Sequence, residues 1–254
     1  MFDPLKGLNP EQQKAVTETN GPLVILAGAG SGKTRVLVHK VLYLMQEKNV
    51  PAAHILMVTF TNKAAAEMKE RIKHILLESN LQKGIPTVGT FHSLCARILR
   101  RHGKYVGLSS SFKIYDTSDQ LDVVKQAFEL LDFSPKELKP KSVLHTISDA
   151  KNQMIDSMTY ADIARGTFQK GVAAVYMVYQ KMLLEADAVD FDDLMLKVIE
   201  LFKNHPEVAE IYQDQFHYIL VDEYQDTNSA QYTLTKFLCA KHKNICIVGD
   251  FAQS

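Results

Sequence analysis

The chain has 254 residues, 46% of them hydrophobic and 23% charged, with 29 Lys and Arg against 29 Asp and Glu. That length can bury a sizeable core, as one large or two smaller domains, and the composition is ordinary for a soluble globular protein. No apolar run approaches the roughly 20 residues that cross a bilayer, and the amino terminus resembles no signal peptide, so no membrane partner is expected. Cys95, Cys239 and Cys246 are odd in number and lack metal-ligand spacing. They read as reduced core thiols of a cytoplasmic protein.

Taken in chain order, the first strong signal is the apolar run Pro22-Leu23-Val24-Ile25-Leu26, which predicts a buried strand over 23–27. It runs straight into Ala27-Gly28-Ala29-Gly30-Ser31-Gly32-Lys33-Thr34, followed by Arg35 and a helical period that predicts a helix over 33–47. Strand, glycine loop and helix form the setting of a phosphate-binding loop. Gly28, Gly30 and Gly32 let the backbone curl so that its N–H groups face phosphate oxygens, and the helix amino terminus adds its positive end. Lys33 can reach the β- and γ-phosphates, and the Thr34 hydroxyl can ligate Mg²⁺. Alanine stands at position 27, where the strict pattern has glycine. A nucleoside triphosphate is the expected ligand.

Further strands are expected at 55–59, 85–89, 217–221 and 244–248, and further helices at 63–77, 91–102 and 229–240. Alternating short β-branched runs and helical periods predict a parallel sheet covered by helices on both faces. Between about 105 and 189 the strand signal nearly disappears, and helical spacing covers 118–131, 140–151, 158–165 and 170–186. Phe133-Ser134-Pro135 and Lys139-Pro140 separate these segments. The organisation predicted is an α/β domain made of 1–104 and 190–254, with 105–189 as an inserted helical subdomain.

The strand at 217–221 ends in Asp222-Glu223-Tyr224-Gln225-Asp226. A carboxylate at the carboxyl end of a parallel strand sits at the sheet edge where α/β proteins place ligands. Asp222 can hold Mg²⁺, while Glu223 can orient or deprotonate the attacking water. With the glycine loop in the same chain, the pair indicates an ATPase. The zero net charge conceals a split: residues 60–104 carry nine Lys and Arg against three Glu, and residues 185–254 carry thirteen acids against five lysines. The basic stretch could serve a polyanion, or simply be a solvated helix face.

Several strings resemble those of superfamily 1 DNA helicases of the UvrD/Rep/PcrA type. Leu8-Asn9-Pro10-Glu11-Gln12 looks like their adenine-recognising Q motif, and Ala27 to Arg35 is similar to their motif I. Val58-Thr59-Phe60-Thr61-Asn62-Lys63-Ala64-Ala65 resembles motif Ia, and Gly89-Thr90-Phe91-His92-Ser93 the next DNA-contacting motif. Val189-Asp190-Phe191-Asp192-Asp193-Leu194 is similar to the segment preceding motif II, which Asp222 to Asn228 resembles, with Tyr224 where phenylalanine is commoner. Gly249-Asp250-Phe251-Ala252-Gln253-Ser254 looks like the first part of motif III. The matches run in family order from residue 8 to the last residue.

The resemblance implies a RecA-like ATP-binding fold with ATP and Mg²⁺ as cofactors. It implies that Gln12 reads the adenine, and that Gln225 and Gln253 sense the γ-phosphate. Phe60, Thr61, Asn62 and Lys63, with Thr90, Phe91 and His92, would line a single-strand channel, where bases stack on aromatic rings and phosphates meet polar donors. It implies a 3′-to-5′ helicase of DNA repair or replication, acting on single strands and single–double-strand junctions. Family members continue for several hundred residues beyond motif III, with a second RecA-like domain and the arginines that complete the site. Such an arginine is worth about 10³ to 10⁵ in rate. The expectation is therefore an amino-terminal portion that binds ATP, hydrolyses it slowly and unwinds nothing alone. An ATP-gated single-strand-binding module and a P-loop enzyme for a small molecule, such as a kinase, stay open as other readings.

Overall fold

The computed structural model describes residues 3–28, 30–78, 84–134 and 138–250. Ala29 and Gln253, both expected at the nucleotide, lie outside the described residues, as do Phe251, Ala252 and Ser254.

Helix α1 (Pro10–Thr17) opens on a capping box, in which the Asn9 side chain accepts from the Gln12 N–H and the Gln12 side chain accepts from the Asn9 N–H. Strand β1 (Leu23–Leu26) leads through the glycine loop into α2 (Lys33–Gln46), then β2 (Ile55–Thr59) and α3 (Asn62–Glu78). Strand β3 (Thr87–Thr90) starts two residues later than expected, just after Pro86, which has no N–H to give a ladder. Helix α4 (Phe91–His102) follows at once. Next come β4 (Lys113–Ile114), α5 (Thr117–Leu130), α6 (Pro140–Asn152), α7 (Ser157–Ile163), α8 (Gly166–Glu185) and β5 (Ala188–Val189). Helices α9 (Phe191–Asn204) and α10 (Pro206–Gln215), strand β6 (Tyr218–Val221), helix α11 (Ser229–Cys239) and strand β7 (Asn244–Gly249) complete the order.

The described residues divide into two compact units. One holds the residues up to Leu94, Glu207–Thr227 and those from Thr235 onward; the other holds Cys95–Pro206 and Asn228–Leu234.

In the first unit five strands form one parallel sheet in the order β1-β7-β6-β2-β3. Its core packs α2 (Leu37, Val41, Leu44, Met45) and α3 (Met68, Ile72) on Ile55, Met57, Leu220, Cys246 and Val248. Leu56, Val58, Ile219 and Val221, which alternate with these along β2 and β6, are buried as well. Burial on both faces is why those strands read as continuous apolar runs. All five carboxyl ends share one sheet edge, which carries the glycine loop, residues 60–63, residues 90–92, Asp222 and Asp250.

The second unit is helical around a core that includes Val124, Phe128, Val143, Ile147, Val172, Tyr176 and Tyr179. It also holds a pair of two-residue parallel strands, with Lys113 opposite Ala188 and Ile114 opposite Val189. Two residues per strand are too few to show alternation along the chain, and both strands fall in the stretch expected to be helical. None of the described helices is long and apolar enough to cross a membrane.

Candidate functional site

The glycine loop hangs between β1 and α2. Ala27 N–H donates to Gly249 O across the sheet at 3.1 Å, extending the β1–β7 ladder by one residue. Gly30 and Gly32 have φ of 74° and 85°, the left-handed region that costs glycine least. Ser31 closes the turn on Gly28 O, with its N–H at 3.2 Å and its hydroxyl at 2.7 Å. Gly32 is the N-cap of α2 and has no side chain to cap it, which keeps the first turn available to an anion. Gln12 Nε2 donates to Ser31 O at 2.9 Å, tying α1 to the loop. Arg35, in the first turn of α2, lines a groove with His39, Glu70, Arg71 and His74.

The carboxylates stand at the end of β6, two strands from β1. Asp222 is buried; its N–H donates to Val58 O at 3.0 Å, and its Oδ1 accepts from the Glu223 N–H at 3.0 Å. Its Oδ2 lies 3.5 Å from the Thr34 hydroxyl, so the two expected Mg²⁺ ligands face each other. Burial, reinforced by the neighbouring Glu223 charge, raises the Asp222 pKa above the usual carboxylate value. Glu223 has a left-handed backbone, φ 48° and ψ 44°. That turn brings its carboxylate to Lys33 Nζ at 2.7 Å and to Gln225 Nε2 at 2.9 Å. Burial opposes its ionisation, but the bonds from Lys33 and Gln225 outweigh that and lower its pKa. Gln225 also donates to Asp226 Oδ2 at 3.2 Å and accepts from the Asp250 N–H at 3.0 Å. One amide thus joins the β6 loop to the end of β7.

Thr34 and Asp222 offer a hydroxyl and a carboxylate, hard oxygen donors suited to Mg²⁺. Among the described residues no group of three or more His, Cys, Asp or Glu is arranged to hold a metal ion. A site of few protein ligands fits Mg²⁺, which keeps waters and shares phosphate oxygens instead of filling an all-protein cage.

The third constellation follows β2 and β3. Thr61 caps α3, its Oγ1 accepting from the Ala64 N–H at 3.1 Å, which leaves Asn62 and Lys63 exposed on the first turn. Thr90 and Ser93 cap α4 reciprocally, Thr90 N–H to Ser93 Oγ at 3.0 Å and Ser93 N–H to Thr90 Oγ1 at 3.1 Å. The Phe60 and Phe91 rings meet edge to face with centroids 6.2 Å apart. Phe60 is half-buried and Phe91 only 2% exposed, so Phe60 presents a ring to the surface while Phe91 backs it. Burial lowers the pKa of the half-buried His92.

The fold and this loop define a P-loop nucleoside-triphosphate-binding protein of the doubly wound α/β class. Within that class the chain belongs to the UvrD/REP helicase N-terminal domain family, whose pattern matches residues 8–254. It is 51% identical over 98% of its length to the ATP-dependent DNA helicase PcrA of Bacillus subtilis. It is 48% identical over 98% of its length to the protein of that name from Leuconostoc citreum, and 46% identical, over the same share, to that from Staphylococcus aureus. The chain spans about a third of the length of these curated relatives, 33% for the first two and 34% for the third.

The linear sequence identifies these residues but not their partners. Nothing in the linear chain pairs Lys33 with Glu223, or Gln12 with Ser31. Asp250 was visible only as part of a resemblance, and its link is through a backbone N–H that no side-chain pattern encodes.

Proposed function

We propose that this chain is the ATP-binding part of an ATP-dependent 3′-to-5′ DNA helicase or translocase of the cytoplasm, working on single strands and single–double-strand junctions. The observation that carries the reading is the meeting of Lys33 with Glu223 and of Thr34 with Asp222 at one sheet edge.

Gln12 selects the base. Its carbonyl oxygen already accepts from Asn9 and one amide hydrogen goes to Ser31, which leaves one lone pair and one hydrogen. Those match the amino group and N7 of adenine, whereas guanine would set its O6 acceptor against the Gln12 oxygen. Lys33 and the backbone of 28–32 take the phosphates, and Thr34 with Asp222 would hold Mg²⁺. Mg²⁺ held there would supply neutralisation of phosphate charge. Lys33 is shared between phosphate and Glu223: moving it toward phosphate frees the carboxylate, whose basicity then rises, to orient and deprotonate the attacking water. Gln225 and Asp250 relay that rearrangement from the β6 loop to the end of β7, where Gln253 follows in sequence. Phe60 offers a stacking face for a base, with Thr61, Asn62 and Lys63 beside it and Thr90, Phe91 and His92 forming the adjacent wall. Residues 105–189 act as an inserted helical subdomain alongside a RecA-like domain of 1–104 and 190–254. A second RecA-like domain supplies the arginines that complete catalysis.

Turnover of Mg²⁺-ATP, measured with and without single-stranded DNA and with Lys33→Ala as background, tests the reading. Nucleotide binding with slow turnover by this chain supports it. Strong DNA-stimulated turnover by this chain alone would overturn the division of the site between two domains. Nucleotide binding with no response to DNA in the complete enzyme would favour a small-molecule kinase.

A further inference from the structure

Gln12 depends on where α1 sits, and α1 is short. Eight residues are fewer than an isolated helix needs to persist, and Val16 is the residue it buries. The helix is therefore placed by its attachments. On one side Val16 packs with Leu8 and Val36. On the other, two consecutive α2 residues grip the segment at both ends. His39 Nδ1 lies 2.7 Å from Pro4 O, ahead of α1. Lys40, only 3% exposed, donates from Nζ to Ala15 O at 2.8 Å and also to Glu18 O.

The placement of Lys40 is specific. The last carbonyls of a helix have no intrahelical partner and carry the negative end of its dipole, so a cation there is favoured. A buried ammonium is unfavourable unless acceptors are held in place around it, so its position and that of the α1 terminus are set together. Burial lowers the Lys40 pKa, with Cys246 and Glu18 opposing. The same α2 helix opens with Lys33 and Thr34. One rigid element thus holds the phosphate-facing residues at its start and the end of the base-reading helix two turns later.

We propose that Lys40 is a positioning residue for base recognition: by clamping the carboxyl end of α1 to α2, it holds Gln12 against Ser31 and so maintains selection of adenine over guanine. The inference rests on the reading of Gln12 given above.

The test is a double-mutant cycle on this chain, titrating Mg²⁺-ATP and Mg²⁺-GTP into wild type, Gln12→Ala, Lys40→Met and the double variant. Lys40→Met should reduce the ATP-over-GTP preference by about tenfold, roughly one good hydrogen bond, with GTP affinity nearly unchanged. In the Gln12→Ala background it should reduce the preference no further. If Gln12→Ala leaves the preference intact, the adenine reading fails and this inference with it. If Gln12→Ala erases the preference but Lys40→Met does not, the Lys40 assignment alone fails. Equal losses for ATP and GTP would make Lys40 a fold residue only, overturning the proposal. Should Lys40→Met not fold, Lys40→Gln, which retains a donor, takes its place in the cycle. Failure of both to fold would show that the clamp is inseparable from the fold, and would equally overturn it.

Discussion

The Lys33 ammonium lies 2.7 Å from the Glu223 carboxylate, joining the glycine loop after β1 to the strand end of β6 across 190 residues of chain. The same lysine is the group that should meet phosphate, and the same carboxylate should act on water. On that reading each should limit the other until nucleotide intervenes. Glu223→Gln removes the competitor for Lys33, so Mg²⁺-ATP affinity should rise by about two- to fivefold, the range of a partly exposed ion pair. Turnover, in whatever assembly supports it, should fall by about 10² to 10⁴ with the general base gone. Fluorescent-nucleotide titration and phosphate release read the two effects separately.

Asp222 and Thr34 are expected to set the Mg²⁺ requirement. Asp222→Asn should raise the Mg²⁺ concentration needed for tight ATP binding, with metal-free nucleotide affinity unchanged. Because burial raises the Asp222 pKa, its ionised form is lost at a higher pH than for a free aspartate. Acidification should therefore raise the Mg²⁺ concentration the wild type needs toward that of Asp222→Asn, which has no such carboxylate to lose. Nucleotide titrations at several Mg²⁺ concentrations and two pH values test this.

The two aromatic residues near the proposed channel should separate cleanly. Phe60→Ala should weaken binding of an oligo-dT strand by about 1–3 kcal/mol, the value of one base stacked on an aromatic ring, with ATP affinity intact. Phe91→Ala opens a cavity at a fully buried ring and should cost about 3–5 kcal/mol of stability instead. Strand-binding isotherms and urea melts distinguish these outcomes.

In the helical unit Lys151, 1% exposed, reaches Asp190 at 2.6 Å and Asp193 at 2.8 Å, and Tyr179 donates to Asp190 at 2.8 Å. Burial and Asp190 push Asp193 up to about 6, while the Lys151 charge holds Asp190 low against its burial. Lys151→Met should cost about 3–5 kcal/mol, since two carboxylates are then left buried without their cation. Adding Asp193→Asn should recover part of that loss, because one buried charge is removed with it. Denaturant midpoints of the single and double variants measure the recovery.

At the opposite edge of the sheet, His217 stacks on His54 at 4.0 Å and meets His242 in a tilted contact at 4.1 Å, with Asp214 and Lys241 beside the three rings. Burial, with the two neighbouring imidazoles, lowers the His217 pKa. The unfolded chain then binds more protons than the folded one, so stability rises with pH across this window. The contribution is complete above the unfolded value of about 6.5 and is lost as pH falls through the folded one. Melting temperatures between pH 5 and pH 7.5 should fall more steeply on acidification in the wild type than in His217→Gln.

Most of the sheet could be read from the chain because its strands are short apolar runs flanked by helical periods; β2 runs over Ile55–Thr59, as its residues suggested. Helices α1, α9 and α10 were not among the expected elements. Helix α1 has a single buried residue and so lacks an apolar stripe, and β4 and β5 are too short for any period to register. The glycine loop and the Asp222-Glu223 pair were legible because their chemistry is written in adjacent residues. What those residues touch was not. The sequence by itself determined where the glycine loop lies, which strand ends in carboxylates and where most of the helices run, since each follows from local residue types and spacing. Only the tertiary structure decided that Lys33 takes Glu223, that Gln12 leans on Ser31 and that Lys40 closes α1. Those pairings depend on strand order, register and the fit of one element against another, and no periodicity along the chain encodes such distances.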